Sequence, residues 1–227
     1  DEARNNTFVN ITSVACHIGS QISDENLILK SLDVISEIAN NLSLNGHAIK
    51  YLDIGGGLGI QYKDEKEGDP GILMAGVKNR LEGKEYKIIL EPGRSIIGSA
   101  GILVTKIEYI KNAGGKKFAI IDAGMNDLIR PSLYEAWHEV KELENREIPS
   151  DTYDLAGPVC ETGDILAKDR NLKILPNDFV AFMDVGAYGS VMSSNYNSRP
   201  KPMELLVTGD EIEVIRRKET FEDLIAL

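Results

Sequence analysis

Three times within the first hundred residues, a short apolar run gives way to a polar, glycine-bearing motif. Residues 11–16 lead into HIGSQ at His17, residues 49–54 into GGGLG at Gly55, and residues 86–90 into EPGR at Glu91. Helix signals lie between them. Ser23, Asp24 and Glu25 set a hydroxyl and two acids at a helix start, which suits the positive end of a helix dipole. Leu27, Leu32, Ile35, Ile38 and Leu42 then recur at near-helical intervals, Gly46 is a natural stop, and a second helix is expected around residues 72–81. Strand-to-helix alternation of this kind predicts a parallel sheet, because parallel neighbours need a crossover connection. It also places all three motifs at the C-terminal ends of strands, where parallel α/β folds and above all barrels hold their ligands.

Beyond residue 100 the pattern changes. Residues 102–110, 117–121, 136–143, 152–156, 179–184, 204–207 and 211–216 read as strands with Gly, Pro, Asn or Asp between most of them, which predicts an all-β domain. Short helices are expected around 190–195 and 221–227. The division is therefore residues 1–100, α/β, and residues 101–227, β. Trp137 and His138 fall in an alternating run and read as packing and surface positions, and the acidic run 64–69 reads as a solvated loop.

Composition narrows the function classes. The formal net charge is −11 and the basic residues are scattered, which argues against nucleic acid and anionic membrane as partners. The longest apolar runs, such as 96–104, are broken by glycine and fall short of a bilayer span. Two cysteines, Cys16 and Cys160, stand far apart, which argues against a disulfide framework and a zinc site and points to a reducing cytoplasm. The chain opens as though joined partway through a domain, and no signal peptide is seen.

The motifs carry distinct chemistry. Gly55, Gly56 and Gly57 let a backbone approach an anion closely and aim N–H groups at it, and a tight turn without ligand is the alternative. The run has neither the spacing of a dinucleotide fingerprint nor the lysine of a P-loop. In EPGR, Glu91 can hold a ring nitrogen protonated, the Gly93 N–H can bind phosphate, and Arg94 can take a carboxylate or phosphate in bidentate fashion; a plain Glu–Arg ion pair is the alternative. His17 offers an imidazole that can stack on a ring, and Ser20 a hydroxyl. GPVCETGD sets Cys160 beside Glu161, a thiol and a carboxylate that burial and neighbours can tune for proton transfer, or else a small buried thiol and a surface acid.

Together these features describe a pyridoxal phosphate site. In the order HIGSQ, LDIGGGLGI, EPGRS, DAGMNDLIRPSLY, GPVCETGD and GAYG, the chain resembles the fold-type III pyridoxal phosphate-dependent decarboxylases over nearly its whole length. The resemblance implies that His17 stacks on the cofactor ring and has a catalytic part there. It implies that Ser20, Gly55, Gly56, Gly57 and Gly93 surround the phosphate and that Glu91 faces the pyridine nitrogen. Arg94, Arg130, Tyr134 and Glu161 correspond to substrate-holding positions, Cys160 to the proton donor, and Tyr188 of GAYG to a residue near both cofactor and substrate. Two arginines and an acid suit a substrate with an amino acid group at each end, so the implied reaction is decarboxylation of meso-2,6-diaminopimelate to L-lysine and carbon dioxide. A related decarboxylase of another basic or dicarboxylic amino acid, and a non-catalytic regulatory homologue, are the alternatives.

One departure matters. The lysine to which the family attaches its cofactor sits in a tyrosine-containing motif of an early barrel strand, and no such motif occurs here. The expected architecture is thus the last three β/α units of a (β/α)8 TIM-like barrel, followed by a β-sandwich or barrel-like domain whose late segment returns to the active site. The chain is expected to be the C-terminal part of a longer enzyme, inactive alone, and the resemblance implies a homodimer whose active sites are shared through the CETGD loop.

Overall fold

The computed structural model describes residues 2, 3 and 5–226 in two compact units that divide between Gly98 and Ser99. In the first unit, β1 (Ser13–Ala15), β2 (Tyr51–Asp53) and β3 (Lys87–Ile89) form a parallel sheet in that order, with Val14, Leu52 and Ile88 in register. Helix α1 (Glu25–Leu44) follows β1, α2 (Pro70–Arg80) follows β2, and the short α3 (Arg94–Ile97) follows β3.

Side chains dictate where these helices begin and which face they bury. Asp24 caps α1 by accepting the Asn26 N–H at 3.0 Å, and Asp69 caps α2 by accepting from Gly71 at 2.7 Å, with Pro70 at the first helical position. The buried stripe of α1 is Ile28, Leu32, Ile35 and Ala39, joined by Leu29, whereas Leu27 and Ile38 from the sequence pattern are nearly half exposed. Leu32 and Ile35 are common to both stripes, and the buried face is turned by less than one residue step (~70°) from that reading, because α2 takes the side on which Leu29 lies. A Cβ at Gly76 of α2 would meet the Leu29 side chain. The buried Glu25 carboxylate accepts the Asp69 N–H at 2.6 Å, tying the two helix starts together, and this bond holds its pKa below the usual value. In the acidic run Asp64 is exposed, but Glu65 accepts from the backbone N–H groups of Tyr62 and Lys63 and so braces its own loop.

The second unit is dominated by a six-stranded sheet. Its strands are β4 (Leu103–Ala113), β5 (Lys116–Ile121), β6 (Val140–Glu142), β7 (Asp151–Ala156), β8 (Ile165–Leu172) and β9 (Phe179–Phe182), ordered β6-β9-β4-β5-β7-β8. Within it only the β5–β7 pair is parallel. Gly114 and Gly115, both at positive φ, make the two-residue β4–β5 turn that a right-twisted hairpin favours. The edges β6 and β8 approach each other, with Arg170 donating to the His138 carbonyl at 2.9 Å and the Lys173 N–H to Glu142 at 2.8 Å, so the sheet curls nearly closed. Ile107, Ile121, Leu128, Leu155, Val180 and Phe182 fill its interior.

Several features depart from the sequence reading. Strand β8 is not expected from sequence, because Lys168, Asp169 and Arg170 break its alternation; there Asp169 takes a positive φ of 53° beside a register shift, and its N–H is held by Asp154 of β7 at 2.8 Å. The all-β expectation misses α4 (Arg130–Tyr134), which starts with Pro131 in its first turn and stops where Glu135 turns left-handed at φ 52°. That stop leaves only Val140–Glu142 of the expected strand 136–143. His138 is consequently fully buried rather than a surface residue, and Trp137 stacks under the Arg170 guanidinium at 4.3 Å. Residues 190–195 form a single 3-10 turn, Ser190–Met192. A separate hairpin pairs β10 (Glu204–Thr208) with β11 (Glu211–Arg216). Helix α5 (Phe221–Ile225) begins in a Thr220–Asp223 capping box, and Leu227, where the expected helix ends, lies outside the described residues. No helix among the described residues is long and apolar enough to cross a membrane.

Candidate functional site

Three turns meet at the C-terminal ends of β1, β2 and β3. Gly55, at φ 67°, takes its N–H to the Asp53 carboxylate at 2.8 Å and accepts the Glu91 N–H at 2.8 Å. The Gly56 N–H points to Nδ1 of the exposed His17 at 3.3 Å, which fixes the imidazole beside the glycine turn. These glycines are required by backbone crowding as much as by any ligand. A Cβ at Gly56 would fall on the Glu91 carbonyl oxygen, and one at Gly57 (φ 96°) on the Gly19 carbonyl oxygen. The tight-turn reading accounts for these glycines, and the close approach of three strand ends is what gathers the polar groups.

Around this turn stand the exposed Glu91 carboxylate, Gly93 and Ser20. Arg94 is half-buried: it donates to the Tyr62 hydroxyl at 2.5 Å and to Ser20 Oγ at 3.3 Å, with its guanidinium 5.5 Å from the Tyr62 ring centroid. Motif reading misses Tyr62, since nothing but its place at the end of GGGLGIQY marks it. The Gly57 and Gly93 N–H groups make no hydrogen bond among the described residues, and a Cβ at Gly93 would meet nothing within 4 Å. Open amides, a cation, a carboxylate and an imidazole are thus gathered at these strand ends, a set of groups whose chemistry fits a phosphate joined to a flat basic ring.

In the second unit the loop 157–164 is built around its own last residue. The buried Asp164 carboxylate accepts the Val159 N–H and the Met125 N–H, each at 2.6 Å, while the Gly157 N–H bonds to the Asp164 carbonyl at 2.9 Å. Burial raises the Asp164 pKa, and the two N–H donors pull against that shift. A side chain at Gly157 would occupy the place of this carboxylate. The result is a rigid turn that presents Cys160 and Glu161 to solvent.

Helix α4 lies against the same loop, because Ser132 Oγ donates to the Gly163 carbonyl at 2.5 Å. Tyr134, at the end of α4, is exposed, whereas Arg130 is nine-tenths buried with Nη1 2.8 Å from His138 Nε2. His138 Nδ1 lies 2.8 Å from the Met183 carbonyl, so the ring donates there and accepts from Arg130. Tyr188 is partly exposed and held at φ 61°, a conformation that a tyrosine rarely adopts and that clusters at functional sites. The hydroxyl of Tyr196, absent from the motif reading, donates to Glu161 Oε2 at 3.0 Å. The predicted residues thus fall into two sets, His17, Ser20, Gly55, Gly56, Gly57, Glu91, Gly93 and Arg94 in the first unit, and Arg130, Tyr134, Cys160, Glu161 and Tyr188 in the second. Among the described residues no group of acids, histidines and cysteines is placed to hold a metal ion.

Comparison with known proteins agrees across most of the chain. Diaminopimelate decarboxylase of Pseudomonas aeruginosa is 45% identical over 216 residues, 95% of this chain and 52% of that protein. Its counterpart in Aquifex aeolicus is 46% identical over 95% of this chain and 52% of its own length. The chain therefore spans about half the length of these relatives. The crystal structure of Helicobacter pylori diaminopimelate decarboxylase complexed with L-lysine superposes with a TM-score of 0.93 at 42% identity, covering 98% of this chain and 56% of that one. Residues 11–186 match the family model described as pyridoxal-dependent decarboxylase, C-terminal sheet domain. With most of its length inside that match, and the expected motifs standing at strand ends and turns, the chain belongs to the pyridoxal-dependent decarboxylase family.

Proposed function

We propose that this chain is the C-terminal part of a pyridoxal phosphate-dependent decarboxylase that converts meso-diaminopimelate to L-lysine and carbon dioxide. The observation that carries the reading is the strand-end cluster of His17, the Gly55–Gly57 turn and Glu91, and the relatives' printed substrate narrows it to diaminopimelate. The three β/α units are read as the last of a (β/α)8 barrel, residues 1–100, and residues 101–227 as its C-terminal β-domain. A homodimer in the cytoplasm, in which the CETGD loop of one subunit serves the cofactor of the other, completes the proposal.

When bound, pyridoxal phosphate supplies an electron sink for the charge left at the α-carbon as carbon dioxide departs. The Gly57 and Gly93 amides with Ser20 would hold its phosphate, His17 would cover one ring face, and Glu91 would keep a proton on the pyridine nitrogen. Arg94, Arg130, Tyr134 and Tyr188 would orient the substrate, whose distal ammonium group would meet Glu161. Cys160 gives the proton that the α-carbon takes up, and the stiffness of its loop fixes where that proton is delivered.

The test is made on the full-length protein supplied with pyridoxal phosphate. Carbon dioxide release from meso-diaminopimelate should exceed that from lysine, ornithine and arginine by roughly ten-thousandfold in kcat/KM, the margin that a polar site gains over substrates that leave its groups unpaired. Cys160→Ala should lower kcat while leaving cofactor absorbance unchanged. Preference for another amino acid would overturn the substrate assignment, and wild-type kcat in Cys160→Ala would overturn the proton-donor role.

A further inference from the structure

Glu161 is exposed, and its backbone is fixed by two hydrogen bonds, its N–H to the Val159 carbonyl at 2.8 Å and its carbonyl to the Asp164 N–H at 3.1 Å. The side chain beyond Cα still has free torsions, and an anchor that must meet one ammonium group needs them restrained. The hydroxyl of Tyr196 supplies a restraint by donating to Oε2 at 3.0 Å, which leaves Oε1 for a ligand.

The segment that carries Tyr196 is costly to hold. Asn197 and Ser198, neither of them glycine, stand at φ 57° and 56° in the turn Tyr196–Ser198. Left-handed residues of this kind cost on the order of 1 kcal/mol each and persist where surrounding contacts over-determine them. Those contacts are present. Asn195 Nδ2 bonds to the Arg199 carbonyl at 3.1 Å and to Glu219 Oε2 at 2.6 Å, and the same Glu219 oxygen takes the Lys201 N–H at 2.8 Å. Arg199 donates from Nε to Asn126 Oδ1 at 2.9 Å and from Nη2 to the Asp122 carbonyl at 2.7 Å, with Asp127 3.8 Å away. The Ser194 N–H closes the ring on the Asn126 carbonyl at 2.9 Å. Both ends of the Tyr196 turn are thus tied to the body of the unit. Packing alone does not demand this, since Tyr196 is half exposed.

We propose that Tyr196 is a positioning residue that aims the Glu161 carboxylate at the distal ammonium group of the substrate. The assignment rests on the reading of Glu161 as that anchor. The hydrogen bond also leaves its mark on the tyrosine, whose pKa is raised by the bond to Glu161 and by that carboxylate's charge.

The experiment uses the full-length enzyme with pyridoxal phosphate and two substrates, meso-diaminopimelate and 2-aminopimelate, which lacks the distal amino group. Tyr196→Phe removes one half-exposed hydroxyl and should leave the thermal midpoint unchanged. It should raise KM for diaminopimelate roughly tenfold or more with kcat within about twofold, the effect of one hydrogen bond to a charged group, and leave KM for 2-aminopimelate where it was. In a Glu161→Gln background the same substitution should have no further effect on the ratio of the two substrates, because the pair acts as one unit. An unchanged KM for diaminopimelate would overturn the proposal, as would an equal rise for both substrates, which is what a general structural role predicts. A wild-type enzyme that decarboxylates 2-aminopimelate and not diaminopimelate would instead overturn the reading of Glu161, and this proposal with it.

Discussion

Asp164→Ala isolates what holds the Cys160–Glu161 turn in shape. The substitution removes two 2.6 Å hydrogen bonds, to the Val159 and Met125 amides, of which the first is fully buried. Each bond to a charged acceptor is worth about 1.5–3 kcal/mol. Part of that is returned, since the buried carboxylate carries a desolvation cost that vanishes with it. The net loss in the free energy of opening the loop is about 3 kcal/mol, or roughly a hundredfold in the opening equilibrium. Hydrogen exchange followed by mass spectrometry on the full-length protein reads this directly in peptides covering residues 157–164. Asp164→Ala should lose about two decades of protection there, and Asp164→Asn, which keeps one acceptor oxygen and turns an amide toward an N–H, about half of that on a logarithmic scale. Peptides from α1, in the other unit, serve as the internal control. Protection within about threefold of wild type in the loop would refute the reasoning, because two charge-assisted bonds cannot be lost at so small a cost.

Gly56→Ala should destabilise the first unit by about 2 kcal/mol or more and weaken pyridoxal phosphate binding, because its Cβ meets a backbone carbonyl that cannot rotate away; Gly93→Ala, whose Cβ meets nothing, should leave the thermal midpoint of the cofactor-free protein unchanged. Equal midpoints for the two variants would show that the three strand ends are not packed as described. Asp127 gives a pH signature. Burial raises its pKa above the usual 3.8, so the folded state takes up its proton at higher pH than the unfolded state, and the resulting stabilisation is full below about 3.8 and is lost as pH rises through the raised value. Asp127→Asn has no such proton, so in urea unfolding the stability of wild type relative to the variant should rise as pH falls from neutrality toward about 4, and parallel profiles would exclude the effect.

Much of the site was legible from sequence because its parts are local. A strand followed by HIGSQ, GGG or EPGR delivers its motif to one end of a parallel sheet through chain direction alone, and Asp24 marks a helix start by a bond to a backbone only two residues away; Asp69, read as part of a solvated loop, caps α2 in the same way. The loop GPVCETGD is likewise self-contained, since its anchor Asp164 lies within it. End signals at residues 23–25 and Gly46 and the period between them placed the helix, but not the stripe it buries, which waits on the helix packed against it.

What tertiary structure decided are relations between residues far apart in the chain. Arg94 meets Tyr62, Arg130 meets His138 at the edge of a sheet that nearly closes on itself, and Tyr196 meets Glu161 across 35 positions. Strand β8 is hidden in the sequence because its middle is polar and breaks register, with the Asp169 N–H taken by Asp154 of its partner strand. Sequence by itself determined which chemical groups this chain owns and at which turns they stand, because covalent order and local backbone preference suffice for that. Their partners were set only by the folded sheet and its loops, because a hydrogen bond is specified by distance in space, and distance along the chain says little about it.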